Sequence, residues 1–507
     1  MRPVNKAAVL AVLSVALAVI SLDNTIVNVA LPTLQEELRG TTADLQWVID
    51  AYSVLFAGTL LLAGTLGDRF GRRRILLIGL AIFLLGSAGA ALSTTTNMLI
   101  GFRALMGVGG AFIMPSTLSI LARTFPERRE RAMAIGVWSA VAGVGVALGP
   151  VVGGLLLQHF PWNAIFWVNP PIVVAVVVAT IVWIPESSDP ARPRLDLVGA
   201  ILSSAGLIIL VVTIIDLPQT GFSLRTVLSG GLALVLVAAF VWWESRTPAP
   251  LLPLSFFRER LFVVSILLVG LVYFALMGTM FFVPQFFQLV QGLSPLQSGL
   301  AILPGAGSML VASLFSARLA ERIGNRGTIV LGLGLVTIAL GIFSFISAQT
   351  PFLLIAVNLA LVGVGLGFTL PQVTNGVLAS VPIERAGMGS AVNDMMSELG
   401  GAMGVAVLGA ILSSSYRSSI EAAIAAAGDR ISIVPPDVVA AARESLASAA
   451  LAVGRLPEQV EQAVTLATGR AFVSGMGWAL VVAAVIALLG TLLAWRRFPA
   501  RVERVSE

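Results

Sequence analysis

Windows of about twenty mostly apolar residues, the length a helix needs to cross a bilayer, recur fourteen times along this 507-residue chain. They fall near 7–30, 45–66, 74–93, 98–122, 132–157, 163–184, 196–216, 224–243, 261–283, 297–318, 328–347, 352–378, 387–412 and 472–495. Only 11% of the residues are charged and 57% are hydrophobic, where a soluble domain carries about 25% charged residues. No water-soluble fold hides that much apolar side chain, so the excess must face lipid. Lipid demands a backbone that satisfies its own hydrogen bonds, which predicts an all-α integral membrane protein. The alternating strands of a membrane barrel are absent. The first span leads into the polar stretch from Asp23 to Pro32, so it is expected to stay in the working protein and not to be a cleaved signal.

The basic residues predict the orientation. With the N-terminus in the cytoplasm, the loops on that side hold Arg2, Lys6, Arg69, Arg72, Arg73, Arg74 and Arg123, among others. The short loops opposite hold Arg39 and Arg225. Both termini are then cytoplasmic, in a multi-pass protein of the cytoplasmic membrane. The net charge of +5 is thereby explained as topology, without nucleic acid. Segment 413–471 falls outside. It is Ala-rich with mixed charges and is divided by Pro435–Pro436, which predicts short amphipathic helices capping the outer face.

The chain repeats itself. LGDRFGRR at 66–73 matches LAERIGNR at 319–326, GVGGAFIMP at 107–115 matches GVGLGFTLP at 363–371, and Glu130-Arg131-Ala132 matches Glu384-Arg385-Ala386. The offsets are 253, 256 and 254, and the span number rises by eight each time. The expected organisation is a six-helix bundle over 1–190, two additional helices over 191–250, and a second six-helix bundle over 251–507. Repeated halves around a midplane site are how many secondary transporters are built.

Five charges stand where charges are expensive, at about 2.5–3.5 kcal/mol each near the bilayer centre. They are Asp23 in the first span, Asp50 in the second, Arg103 in the fourth, and Asp394 and Glu398 in the thirteenth. Asn24, Thr25 and Asn28 make the surroundings of Asp23 unusually polar. Arg103 has no counterpart in the second half, where Leu359 takes its place. Asp394 and Glu398 are four residues apart and share one helical face. Two carboxylates in one apolar cavity cannot both ionise cheaply, which makes the pair a site for proton exchange or for a cation. Cysteine is absent and His159 is the sole histidine, so a nucleophilic triad, a metal centre and a resident cofactor are not expected. No GxxxxGK[ST] pattern is present, which argues against ATP as the energy source.

Four motifs in chain order carry a family resemblance. GTLGDRFGRRR at 64–74, GFRALMGVGG at 101–110, GVGVALGPVVGG at 143–154 and LDNTIVNVALP at 22–32 resemble signatures of the major facilitator superfamily, in particular its fourteen-helix drug:proton antiporters. The resemblance covers essentially the whole chain. It implies export of lipophilic, often cationic compounds in exchange for protons, by a monomer with small lipophilic substrates and the bilayer as partners. It assigns proton coupling to Asp23 and Arg103, and gating to Gly64, Asp68, Arg69, Gly71 and Arg72, with Glu321 and Arg322 as the counterparts in the second half. It makes Gly145, Gly149, Pro150, Gly153 and Gly154 the antiporter motif, and the acids Asp394 and Glu398 resemble sites found in cation-exporting members; with Asn24 and Asp50 they are the expected substrate site. One departure bears on substrate charge: the ninth and tenth spans carry Gln285, Gln288, Gln291 and Gln297 but no acid, which weighs against doubly charged substrates. An exporter of an endogenous lipid, antibiotic or amino acid on the same fold is the competing reading.

Overall fold

A computed structural model describes residues 5–187, 196–221, 223–247, 250, 254–381, 386–454 and 456–502. Among them there is no strand. Sixteen helices run in the order α1 Lys6–Leu38, α2 Thr42–Phe70, α3 Arg72–Ala91, α4 Thr96–Thr124, α5 Arg128–His159, α6 Ala164–Trp167, α7 Asn169–Trp183, α8 Leu197–Thr220, α9 Leu224–Glu244, α10 Arg260–Gln285, α11 Pro295–Phe343, α12 Phe352–Ala379, α13 Ala386–Ala427, α14 Pro436–Glu444, α15 Leu446–Val453 and α16 Glu458–Arg497. Eleven helical segments among the described residues are long and apolar enough to cross a membrane. Large apolar side chains such as Phe345, 88% exposed, and Leu353, 72% exposed, stand on the outside of the bundle, where only lipid makes them tolerable.

The helix count departs from fourteen for identifiable reasons. The sixth span breaks at Asn169, because Pro170 and Pro171 have no N–H to continue a helix but are well suited to begin one. The tenth and eleventh spans run together as α11 through a kink at Gly324, whose φ of 80° and ψ of 162° are non-helical. The segment expected to hold only short capping helices is in large part a continuation of its neighbours: α13 extends to Ala427 and α16 begins at Glu458. Between them lie a 3-10 turn at Gly428–Ile433, α14 and α15, with Pro436 at the first turn of α14.

The repeat in the sequence is also a repeat in backbone contacts. A Cβ on Gly79 or Gly109 would press on the other's carbonyl, which locks α3 to α4, and Gly332 and Gly365 do the same for α11 and α12. Gly107 lies on the carbonyl of Tyr52, and Gly363 lies on the carbonyl of Gly305. These glycines let backbones touch, which is how membrane helices associate without a hydrophobic drive between them.

The bundle has a near face, carrying Lys6 and Arg72, and a far face opposite it. On the far face the two halves of the chain are joined: Gln288 Nε2 donates to Val29 O at 2.9 Å, Gln35 Nε2 to Ser445 Oγ at 2.9 Å and Gln46 Nε2 to Val405 O at 3.4 Å. α8 packs on α2 and α13, and α9 packs chiefly on α8.

Candidate functional site

Asp23 and Arg103 meet in the middle of the first half. α1 carries Asp23 and α4 carries Arg103, both essentially inaccessible. Arg103 Nη1 donates to Asp23 Oδ2 at 2.5 Å, and Asn169 Nδ2 donates to Asp23 Oδ1 at 2.8 Å. Arg103 Nε donates to Val48 O at 3.0 Å, and its guanidinium lies 4.5 Å over the Tyr52 ring. Tyr52 reaches that position because Gly107 and Gly110 of α4 leave room for it; a methyl at Gly110 would stand 2.7 Å from its hydroxyl. Removing one partner of such a pair strands a charge, at about 3–5 kcal/mol.

Glu398 ties the second half to the first. Its carboxylate on α13 lies beside Ser53 of α2 and Asn24 of α1. Asp394 lies one turn earlier and accepts from Asn393 Nδ2 at 3.2 Å. Tyr273 of α10 lies beside Ser397 and near both acids, while Tyr52 lies near Glu398, Asp23 and Arg103. The two sets of charges are therefore neighbours across the midline. Asp50 sits deeper in the α2 wall, fully buried, and neither of its oxygens has a hydrogen-bond partner.

The glycine run at 143–154 forms a seam. On α5, Gly145 lies against Ala18, Gly149 against Leu22 and Thr25, and Gly153 against Ile26, so one face follows α1 turn by turn. Thr25 Oγ1 donates to Val146 O at 3.2 Å. The other face meets α11: Pro150 O is covered by Gly299, and Gly154 lies against Pro295 and Leu296. This seam belongs to the far-face closure.

The loop between α2 and α3 turns at Gly71, with φ of 114°. Glu186, beyond α7, lies over it and caps α3: Arg73 N donates to Glu186 Oε1 at 3.1 Å, and Arg74 Nε lies 3.6 Å from Oε2. A carboxylate at a helix N-terminus is favourable there. Arg72 N donates to Ser187 O at 2.8 Å and its side chain to Ser119 O at 3.4 Å. Arg69 lies 5.6 Å from the Phe70 ring. Gly64 and Gly67 face Pro115 and Ser116 of α4. The side chain of Asp68 lies outside the described residues. Glu321 and Arg322 are exposed. The four glutamines of the ninth and tenth spans hold backbone or cap positions: Gln285 on Phe281 O, Gln288 on Val29 O, Gln291 on Thr350 O and Gln297 on Ser294 N.

Sequence reasoning did not single out Tyr52, Ser53, Asn169, Tyr273 or Glu186. A signal existed for some: the chain has three tyrosines, and two of them stand beside the buried acids. Asn169 is a polar residue inside an apolar span, directly before two prolines.

The family model described as Major Facilitator Superfamily matches residues 13–405. The chain is 36% identical to the multidrug efflux pump LfrA of Mycolicibacterium smegmatis over 94% of both chains. It is 34% identical to the tetracenomycin C resistance and export protein of Streptomyces glaucescens over 95% of this chain and 89% of that one. It is 32% identical to the methyl viologen resistance protein SmvA of Salmonella typhimurium over 94% and 95%. Its fold resembles a bacterial homolog of the human lysosomal transporter Spinster in an inward-facing and occupied conformation, with a TM-score of 0.66, 16% identity and 97% of each chain covered. It also resembles the human organic anion transporter MFSD10, with a TM-score of 0.59 and 16% identity over 97% of this chain and 100% of that one. With its repeated helices, its glycine-packed seams and its midline charges, the chain belongs to the Major Facilitator Superfamily.

Proposed function

We propose that this protein is a proton-coupled antiporter that exports lipophilic, preferentially cationic compounds across the cytoplasmic membrane, and so confers multidrug resistance. The observation that carries the reading is the placement of Glu398 beside Asn24 and Ser53, next to the Asp23–Arg103 pair. An acid of one half lies against the half that contains the ion pair, so a proton or cation arriving at one set of charges changes the contact between halves. Asp23 and Arg103 act in proton coupling. Asn24, Asp50, Asp394 and Glu398 receive the substrate, with apolar walls supplying the rest of the affinity. A buried carboxylate without a partner is costly as an anion, so Asp50 is satisfied by a proton or by a cationic cargo. Relatives named as multidrug efflux pumps support the reading.

In the proposed topology fourteen spans form two six-helix bundles with α8 and α9 at the rim, and the protein works as a monomer. The near face and both termini are cytoplasmic, which makes the closed far face the outer one and the conformation inward-facing. Asp68 and its arginine neighbours bias the inward–outward equilibrium. One charge crossing 100 mV is worth about 2.3 kcal/mol, enough for a roughly fifty-fold gradient at about 1.4 kcal/mol per tenfold. A relative named for resistance to and export of tetracenomycin C supports a narrower second reading, the export of one endogenous product.

The test is antiport in proteoliposomes with a pH dye in the lumen. Addition of ethidium or tetraphenylphosphonium should move protons against the drug, in an amount that follows drug flux. Drug flux that ignores an imposed pH gradient would defeat the coupling, and flux of neither compound would favour the narrower reading.

A further inference from the structure

α13 has 42 residues and α16 has 40. At about 1.5 Å per residue each is roughly twice the ~30 Å hydrocarbon thickness. Their surplus turns stand together on the far face, bridged by the 3-10 turn and α14, and line a half-open cavity of about 380 Å³. Ile420 and Ile424 of α13, Val438 of α14 and Val464 of α16 form its walls. Ala427, Ala463 and Ala467 line it with small side chains. Among the described residues no charged side chain and no aromatic ring lines it. Its polar members are Gln459, exposed at the rim, and Thr468, whose hydroxyl already donates to Val464 O at 2.9 Å.

Protein interiors hold few voids larger than a water molecule. A cavity of about 380 Å³ lined in this way falls in the size range of small-molecule sites. We propose that this cap is a binding site for a free, uncharged aliphatic molecule. The seated part of the ligand is uncharged because no charged side chain among the described lining residues would partner an ion there. It is aliphatic because the walls offer only branched and small alkyl groups. It is free, not the tail of a bilayer lipid, because the lining turns lie beyond the lengths of α13 and α16 needed to span the hydrocarbon. A tail anchored in the leaflet would have to leave it to reach them. The site is separate from the charges at the midline and does not depend on proton coupling.

The chain has no cysteine, so Ala463→Cys places one thiol on the cavity wall, and Ala426→Cys places a control on the exposed side of α13. The full chain is reconstituted in phosphatidylcholine nanodiscs and labelled with N-ethylmaleimide, with 1-decanol as the probe. Decanol at about ten times its dissociation constant should slow labelling of Ala463→Cys by about tenfold and leave Ala426→Cys unchanged. Adding Ala427→Leu or Ala467→Leu should remove that protection by filling the space. Should a filled variant fail to fold, a diazirine-bearing decanol on the otherwise unaltered chain gives the independent measure, since its adducts should map to residues 420–468. Absence of protection together with absence of adducts there overturns the proposal. A thiol already blocked in nanodiscs and freed in lipid-free amphipol overturns it as well, because the occupant is then a bilayer lipid.

Discussion

Gly71 and Gly324, 253 positions apart, hold the same place in the two halves of the chain. Each has a positive φ, 114° and 80°, at the start of a membrane helix. Each is covered by chain that follows the last membrane helix of its half: Glu186 lies over Gly71, and Ala500 O over Gly324. Val502 N completes the second contact by donating to Asn325 Oδ1 at 3.0 Å. A side chain at either glycine would meet both a disfavoured backbone and an occupied space. Gly71→Ala and Gly324→Ala should each cost about 1–3 kcal/mol, read as a lower unfolding temperature in detergent. Gly231→Ala, in α9 with nothing near it, should be neutral or stabilising by up to about 1 kcal/mol. Equal effects at all three positions would remove the special role of the two turns.

Asp23→Asn keeps the shape of the side chain and removes its charge. Arg103 is then left buried without its anion, so stability should drop by about 3–5 kcal/mol. Substrate-induced proton release in proteoliposomes should be lost. Adding Arg103→Leu to Asp23→Asn should recover part of the stability and none of the coupling. Coupling that survives Asp23→Asn in folded protein would reduce Asp23 to a structural bond between α1, α4 and α7.

Asp394→Asn with Glu398→Gln should raise the KM of cationic substrates by at least about tenfold, the equivalent of about 1.4 kcal/mol, and leave neutral substrates nearly unchanged. Glu398→Gln retains a side chain able to bond Asn24 and Ser53, so the fold should persist. Equal losses for neutral and cationic substrates would assign the pair to proton handling or to folding.

Gly149→Ala puts a methyl into Thr25 and 3.0 Å from Leu22 O, on the seam between α5 and α1. Overpacking of this kind costs about 1–3 kcal/mol. Because the opposite side of α5 meets α11 through Pro150 and Gly154, the strain should loosen the far face. A cysteine at Leu296 should then react faster with a membrane-impermeant maleimide, and drug antiport should fall. Unchanged reactivity at that cysteine would show that the seam does not hold the far face shut.

The membrane class, the helical character, the repeat and the identity of the buried charges were all legible in the chain. Length and hydropathy govern what a bilayer accepts, and a charge in an apolar span stands out against its neighbours. The positive-φ turn at Gly71 and its echo at Gly324 were visible as matched glycines. Partners were not legible. Nothing in the order of residues says that Asn169 reaches Asp23, that Glu186 returns to cap α3, or that Glu398 lies beside Asn24 and Ser53, because these contacts join segments more than a hundred residues apart. Helix ends were also misread where an apolar scale was the guide. α13 and α16 continue past the hydrocarbon because helical hydrogen bonds and packing on each other sustain them in water, whereas hydropathy records only the part that lipid requires. The cavity between those extensions depends on which alanines face inward, and that is fixed by how three helices turn against one another.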